Sequence, residues 1–193
     1  MYCFVNDFLN EEQVQSIISA GDNGEFKQGR VDKDSNGLAV DKSIRSVSLC
    51  NLKFEDKVEW LGEHIQELSE NVKFLFQSQY EIPLDVSGGI EKEGINYLVY
   101  YNSDHYAYHR DLDANSSKES IRKRTLSLSV QLSDEKDYDG GELVLKIGDN
   151  EIVSPKQKGS AIVFLSDIPH KINAVTSGTR KAFVTWMHSK QDD

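Results

Sequence analysis

The stretch RTLSLSVQL, residues 124–132, alternates without a break. Leu126, Leu128, Val130 and Leu132 take one parity; Thr125, Ser127, Ser129 and Gln131 take the other. A period of two places the sets on opposite faces of an extended strand. The apolar face must pack against something. The polar face has two readings: it is wetted by solvent, as in a surface sheet, or it lines a cavity in which small hydroxyls leave room for a ligand. Periodicity alone leaves both open.

Around this strand the pattern is that of an α+β domain. Further strands are expected at 95–101, 105–110, 142–147, 151–153, 160–165 and 180–187, with turns at Asp139-Gly140-Gly141, Gly148-Asp149-Asn150 and Ser177-Gly178. Two more are expected earlier, at Cys3-Phe4-Val5 and from Ile44 to Cys50. Asn10 with Gln13 forms a capping-box pattern before Val14, Ile17 and Ile18, so a helix is predicted over about 11–20. A second box, Asp56 with Glu59, precedes Val58, Leu61, Ile65, Leu68, Val72 and Leu75, which predicts a helix over 56–78 with one apolar stripe. Residues 24–43, rich in Gly, Asp, Asn and Lys, read as a mobile hairpin or loop, either a lid or an idle surface segment. Helices first and short strands after them imply a β-sandwich or jelly roll with the long helix over one sheet face.

Composition narrows the function. The 193 residues fit one domain, 1–193, with 38% hydrophobic and 28% charged residues. A net charge of −10 and no dense basic stripe disfavour nucleic acid and anionic membranes as partners. Only Cys3 and Cys50 are present, and the first residues lack a secretion-signal pattern, so a cytoplasmic setting with reduced thiols is expected. No apolar run approaches the ~20 residues that span a bilayer.

The chemistry-bearing residues lie in the second half. In YYNSDHYAYHRDLD, residues 100–113, His109 and Asp111 are two apart and project the same way from an extended chain. A third ligand has to come from another strand. His64 falls on a helix flank, His105 sits near a turn, and His188, close to the end of the chain, reads as a solvated end. His170 follows Ala161-Ile162-Val163-Phe164-Leu165, a continuous apolar run that reads as a central strand, and a rigid scaffold of that kind suits a ligand. Two imidazoles and one carboxylate leave open positions on a six-coordinate ion, the pattern of non-haem Fe(II) oxygen chemistry. Ten residues on, Arg180 opens the strand that runs to Trp186. It either snorkels to water or meets a carboxylate ligand inside the sandwich.

Taken in order, His109-x-Asp111, Gly140-Gly141-Glu142-Leu143, the apolar strand into His170, and Gly178-x-Arg180 through Trp186 resemble the Fe(II)- and 2-oxoglutarate-dependent dioxygenases. The nearest subgroup is the prolyl 4-hydroxylase-like one, with its small microbial and viral members. The resemblance covers roughly residues 94–189. It implies a double-stranded β-helix, or jelly roll, flanked by N-terminal helices. It implies Fe(II) on His109, Asp111 and His170, with 2-oxoglutarate as co-substrate and ascorbate as a further candidate reductant. Arg180 would meet the far carboxylate of 2-oxoglutarate. Tyr100, or Tyr101, and Gln131, or Ser129, would stand beside it, with Tyr106 or Tyr108 in the pocket wall. The resemblance also implies hydroxylation of a C–H bond, with peptidyl proline the favoured target, so a protein or peptide substrate is the expected partner. A nucleic-acid demethylase and a non-catalytic jelly-roll binding module are the competing readings.

Overall fold

The structure, a computed structural model, describes residues 1–32, 38–52, 58–77, 84–85, 92–114, 116 and 119–189. Two antiparallel sheets face each other. The larger, of eight strands, runs in the order Tyr2–Val5, Ala161–Leu165, Arg124–Gln131, Arg180–Ser189, Ile95–Tyr100, Ser48–Leu52, Lys27–Gln28, with Leu84–Asp85 pairing beside Arg180–Ser189. The smaller runs Asn150–Val153, Leu143–Ile147, His170–Ile172, His105–His109, Arg45–Ser46. Strands next to each other in the larger sheet are far apart in sequence, as in a jelly roll.

The alternation of the central strands builds two cores. Leu126, Leu128, Val130 and Leu132 join Val99, Val163 and Phe183 on the outer face of the large sheet. There they meet Val14 and Ile17 of one helix and Leu61, Ile65 and Leu68 of the other. Leu98, Tyr100, Ile162 and Phe164, from the opposite parity, form the second core between the sheets with Leu143, Leu145 and Ile172. Each leucine side chain so buried contributes roughly 1.5–3 kcal/mol.

The first helix, Glu11–Asp22, carries the expected box: Gln13 N–H donates to Asn10 Oδ1 and Asn10 N–H to Gln13 Oε1, both at 2.9 Å. It can lie close on the sheet because residue 21 is glycine; a Cβ there would fall 2.4 Å from the Tyr97 ring. The long helix spans Glu59–Gln77 and buries Val58, Leu61, Ile65, Leu68 and Val72. Its expected cap at Asp56 and the side chain of Leu75 lie outside what is described.

Three local expectations change, and the hairpin expected within 24–43 is present. The single strand expected from Ile44 to Cys50 is two, Arg45–Ser46 and Ser48–Leu52, which join different sheets on either side of the fully buried Val47. The turns expected at Asp139-Gly140 and Ser177-Gly178 are strand ends: Tyr138–Gly140 pairs with Val175–Gly178. Residues 24–43 contain two pieces of paired structure, Lys27–Gln28 against Leu49 and Ser48, and a hairpin of Val31–Asp32 with Leu38–Ala39. His188 is no solvated end: it is 1% exposed and its Nε2 lies 2.7 Å from Glu93. Among the described residues, no helix is long and apolar enough to cross a membrane.

Candidate active site

His109 closes the strand His105–His109, and His170 opens His170–Ile172 directly opposite it in the ladder. Asp111 follows two residues later. The backbone N–H groups of Asp111 and Leu112 both donate to Ser166 O at 2.9 Å, which holds this turn over the end of the apolar strand Ala161–Leu165. One ligand atom from each of His109, Asp111 and His170 therefore lies within 4.8 Å of the other two. His109 Nε2 is 3.7 Å from Asp111 Oδ1, and His170 Nε2 is 3.6 Å from Oδ2.

The surroundings set the protonation of this trio. Nδ1 of His109 lies 2.9 Å from Ala107 O, and Nδ1 of His170 lies 2.9 Å from Ile168 O. A carbonyl can only accept, so Nδ1 of each imidazole donates to it and Nε2 of each is left facing Asp111. Burial, together with the neighbouring His170, pushes His109 down to about 3. Burial would raise the Asp111 carboxyl, but the charges of His170, His109 and Arg124 and a hydrogen bond from Ser127 outweigh it, so it lies below the usual carboxylate range. Ser127 Oγ donates to Asp111 Oδ2 at 2.7 Å and lies 2.9 Å from Ser166 Oγ. The low value of His109 and the ionised Asp111 carboxylate suit a divalent cation, whose binding displaces protons from its ligands.

Arg180 stands elsewhere along the same cavity, directly opposite Tyr100 in the large sheet, with its guanidinium carbon 5.4 Å from the Tyr100 ring centre. It is 3% exposed, and its Nη1 has no hydrogen-bond partner among the described residues. A buried guanidinium nitrogen left unpaired is costly. A carboxylate in the cavity would remove that cost, so the arrangement fits the far end of a dicarboxylic acid. The strand begins here because Gly178 turns with φ +73°, where an added Cβ would lie 2.0 Å from Asp137 O.

Tyr100 is 1% exposed and faces the cavity, whereas Tyr101 is 52% exposed and faces away. Ser129 and Gln131 both lie in a recess beside Arg180. Gln131 Nε2 is committed to Tyr138 Oη at 3.0 Å and Ser133 O at 3.2 Å. Tyr106 lies in the wall, stacked on His109 with ring centres 3.4 Å apart. Tyr108 is on the outside, donating to Glu151. His64 binds the carbonyl of Phe8 at 2.7 Å and His105 is bound to Ser103 and Ser43 carbonyls, so neither joins the trio.

Three residues escaped the sequence reading. Tyr138 sits beside Arg180 and Gln131, next to the turn expected at Asp139-Gly140-Gly141. Arg124 lies flat over Trp186, 3.5 Å from the ring centre, and its Nη1 donates to Asp111 O. Glu93 grips Arg124 through both carboxylate oxygens and also meets His188. Arg124 heads the alternating strand, which was its one visible signal. The cavity lined by the trio, Arg180, Arg124 and Glu93 measures about 780 Å³, large enough for a small acid and part of a second molecule.

A double-stranded sandwich with two imidazoles and a carboxylate at one point of its cavity and a buried guanidinium at another defines a class, and the comparisons agree with it. The sequence profile of the 2OG-Fe(II) oxygenase superfamily matches residues 95–188. Over those residues, which carry the trio and Arg180, the chain resembles the iron- and 2-oxoglutarate-dependent oxygenases. Its fold is that of solved prolyl hydroxylases. A prolyl hydroxylase from Trichoplax adhaerens, solved with a peptide fragment of the hypoxia inducible factor oxygen degradation domain, superposes with a TM-score of 0.75 at 15% identity, over 97% of this chain and 83% of that one. A Pseudomonas putida prolyl-4-hydroxylase superposes with a TM-score of 0.69 at 19% identity, over 97% and 92%. In sequence, a PKHD-type hydroxylase of Colwellia psychrerythraea is 29% identical over 184 residues, 94% of this chain and 75% of that protein. Against three further PKHD-type hydroxylases the match covers only 37 to 42% of their length.

Proposed function

We propose that the protein hydroxylates a C–H bond of a peptidyl proline, consuming 2-oxoglutarate and releasing succinate. One observation carries this reading: a metal-competent trio and a buried guanidinium, whose Nη1 has no partner among the described residues, share one cavity. His109, Asp111 and His170 hold Fe(II), and the donor set suits that ion better than structural zinc, which prefers a closed site rich in thiolate. Bound ferrous iron would supply oxygen activation coupled to oxidative decarboxylation of 2-oxoglutarate.

The chain's own groups do the rest. Arg180, flanked by Tyr100 and by Tyr138 on its Gln131 support, binds the far carboxylate of 2-oxoglutarate and fixes its pose. Ser127 aims the Asp111 carboxylate. The small side chains of Ser127 and Ser129 leave the space that 2-oxoglutarate fills. Arg124 on Trp186 fixes the backbone of Asp111 and walls the cavity on the substrate side. Ascorbate serves as the auxiliary reductant. Residues 1–193 act as one domain in a cytoplasmic setting, where Cys3 and Cys50 stay reduced and outside any disulfide.

The relatives named as prolyl hydroxylases, one of them solved with a peptide, support a peptidyl substrate. The test is incubation of the iron-loaded protein with 2-oxoglutarate and proline-containing peptides. The expected result is succinate release together with a 16-dalton gain in the peptide, the mass of one oxygen atom. Succinate released with no peptide modified would retain the oxygenase and remove proline as its target. Neither product would overturn both.

A further inference from the structure

The charge around the mouth of the cavity runs against the charge of the chain. The protein carries 32 acidic and 22 basic residues. Yet five cations drawn from four separate stretches line the cavity away from Arg124 and Arg180: Lys27, Arg30, Arg45, Lys92 and Arg110. Beyond Asp111 and the paired Glu93, the only carboxylate lining it among the described residues is Asp113.

Away from the cavity, Lys123, Lys156, Lys158, Lys171 and Lys181 each meet a carboxylate within the chain, while Lys42, Lys136 and Lys146 are not so paired among the described residues. The five at the mouth meet none among the described residues. Arg45 donates to a carbonyl, that of Arg30, at 3.0 Å, and Arg110 to that of Asp167. Arg45 lies over the Tyr106 ring at 4.6 Å, and that ring stacks on His109. Its Nε is buried without a partner among the described residues.

Unpaired cations gathered round one opening in an acidic protein attract anionic ligands and repel cationic ones. We propose that the substrate is an acidic peptide, with aspartate or glutamate residues flanking the position that enters the cavity. This rests on the peptidyl hydroxylase reading above and specifies its substrate class. Spread over four stretches, the cations match several carboxylates along an extended chain better than one compact anion. The overall charge of −10 opposes the continuous phosphate backbone of a nucleic acid.

The test uses three proline peptides of equal length, flanked by Asp/Glu, by Ser/Gln or by Lys. Binding is read by fluorescence anisotropy and turnover by mass gain, with a single-stranded oligonucleotide as a further binding arm. The acidic peptide is expected to bind best and the lysine peptide worst, with about a 2- to 5-fold change per exposed pair. The spread should narrow at 0.5 M salt. The double reversal Lys27→Glu/Arg30→Glu should invert the order, while Lys158→Glu, away from the mouth, should leave it alone.

Equal binding of the three peptides would overturn the proposal, even with all of them hydroxylated. So would an oligonucleotide that outcompetes the acidic peptide. A double reversal that raises the 2-oxoglutarate requirement and leaves peptide preference intact would assign the cations to the co-substrate and overturn it too. Acidic peptides that bind in the expected order but gain no oxygen would retain the proposal and sink the proline reading instead. No binding by any peptide would sink both.

Discussion

The strand Arg124–Gln131 separates two regions that share a backbone and almost nothing else. Its leucine side is sealed under two helices and contains no chemistry. Its serine side looks into the cavity, with Ser127 on the Asp111 carboxylate and Ser129 and Gln131 beside Arg180. Both sides are buried. Burial therefore does not distinguish core from site here; what does is whether the buried atoms are satisfied. The leucines need only neighbours. The cavity side gathers three metal-ligating side chains and a guanidinium nitrogen without a partner among the described residues, groups that a ligand would satisfy.

Substitutions on the two sides should separate stability from function. On the cavity side, His109→Ala or Asp111→Ala should abolish ferrous binding by calorimetry and with it all succinate release, while thermal unfolding remains cooperative. A variant with full turnover would remove the trio. On the helix side, Leu128→Ala should cost about 2–5 kcal/mol of stability in denaturant titration. Iron affinity of the folded fraction should be unchanged, and a large loss of affinity would mean the two sides are not independent.

Arg180→Ala should raise the 2-oxoglutarate requirement about 10- to 100-fold, from the loss of charge-assisted hydrogen bonds worth roughly 1.5–3 kcal/mol each. Iron should still bind, and an unchanged requirement would mean that the guanidinium only packs. Ser127→Ala should lower metal affinity about 10-fold, the lower end for a group that orients a ligand, with little change in unfolding midpoint.

The smallest effect is one of pH. His109, near 6.5 when unfolded, is held down to about 3 in the metal-free fold. A depressed folded value means that the unfolded chain binds the proton more readily. The metal-free protein is therefore at its most stable above pH 6.5 and loses stability progressively as pH falls towards 3. The lowered Asp111 adds to this at the acid end. His109→Gln should flatten the slope of unfolding midpoint against pH over that window; an unaltered slope would mean other groups set it.

Much of this was legible in the sequence because it rests on period and order. The two-faced strand, the capping box at Asn10 and the helix stripe from Val58 to Val72 follow from local patterning, and the structure keeps them. His170 was reachable because a rigid apolar strand precedes it. What stayed hidden depends on contacts across the sheets. Nothing near Glu93 announces that it will meet Arg124 and His188 from other strands. Tyr138 carries no periodic signal, because its strand is three residues long and defined only by its pairing with Val175–Gly178. The break at Val47 was invisible because one alternating run serves two sheets.

The placement of His109 and His170 as ladder partners has a consequence for the life of the protein. An ion gripped by both, and by Asp111, would rivet two strands whose connecting chain passes through the large sheet and back. Loading would then act as a cross-link as well as an activation. In a cell short of iron, this protein would be not only idle but looser at the smaller sheet, and the empty form would be the first to meet a protease.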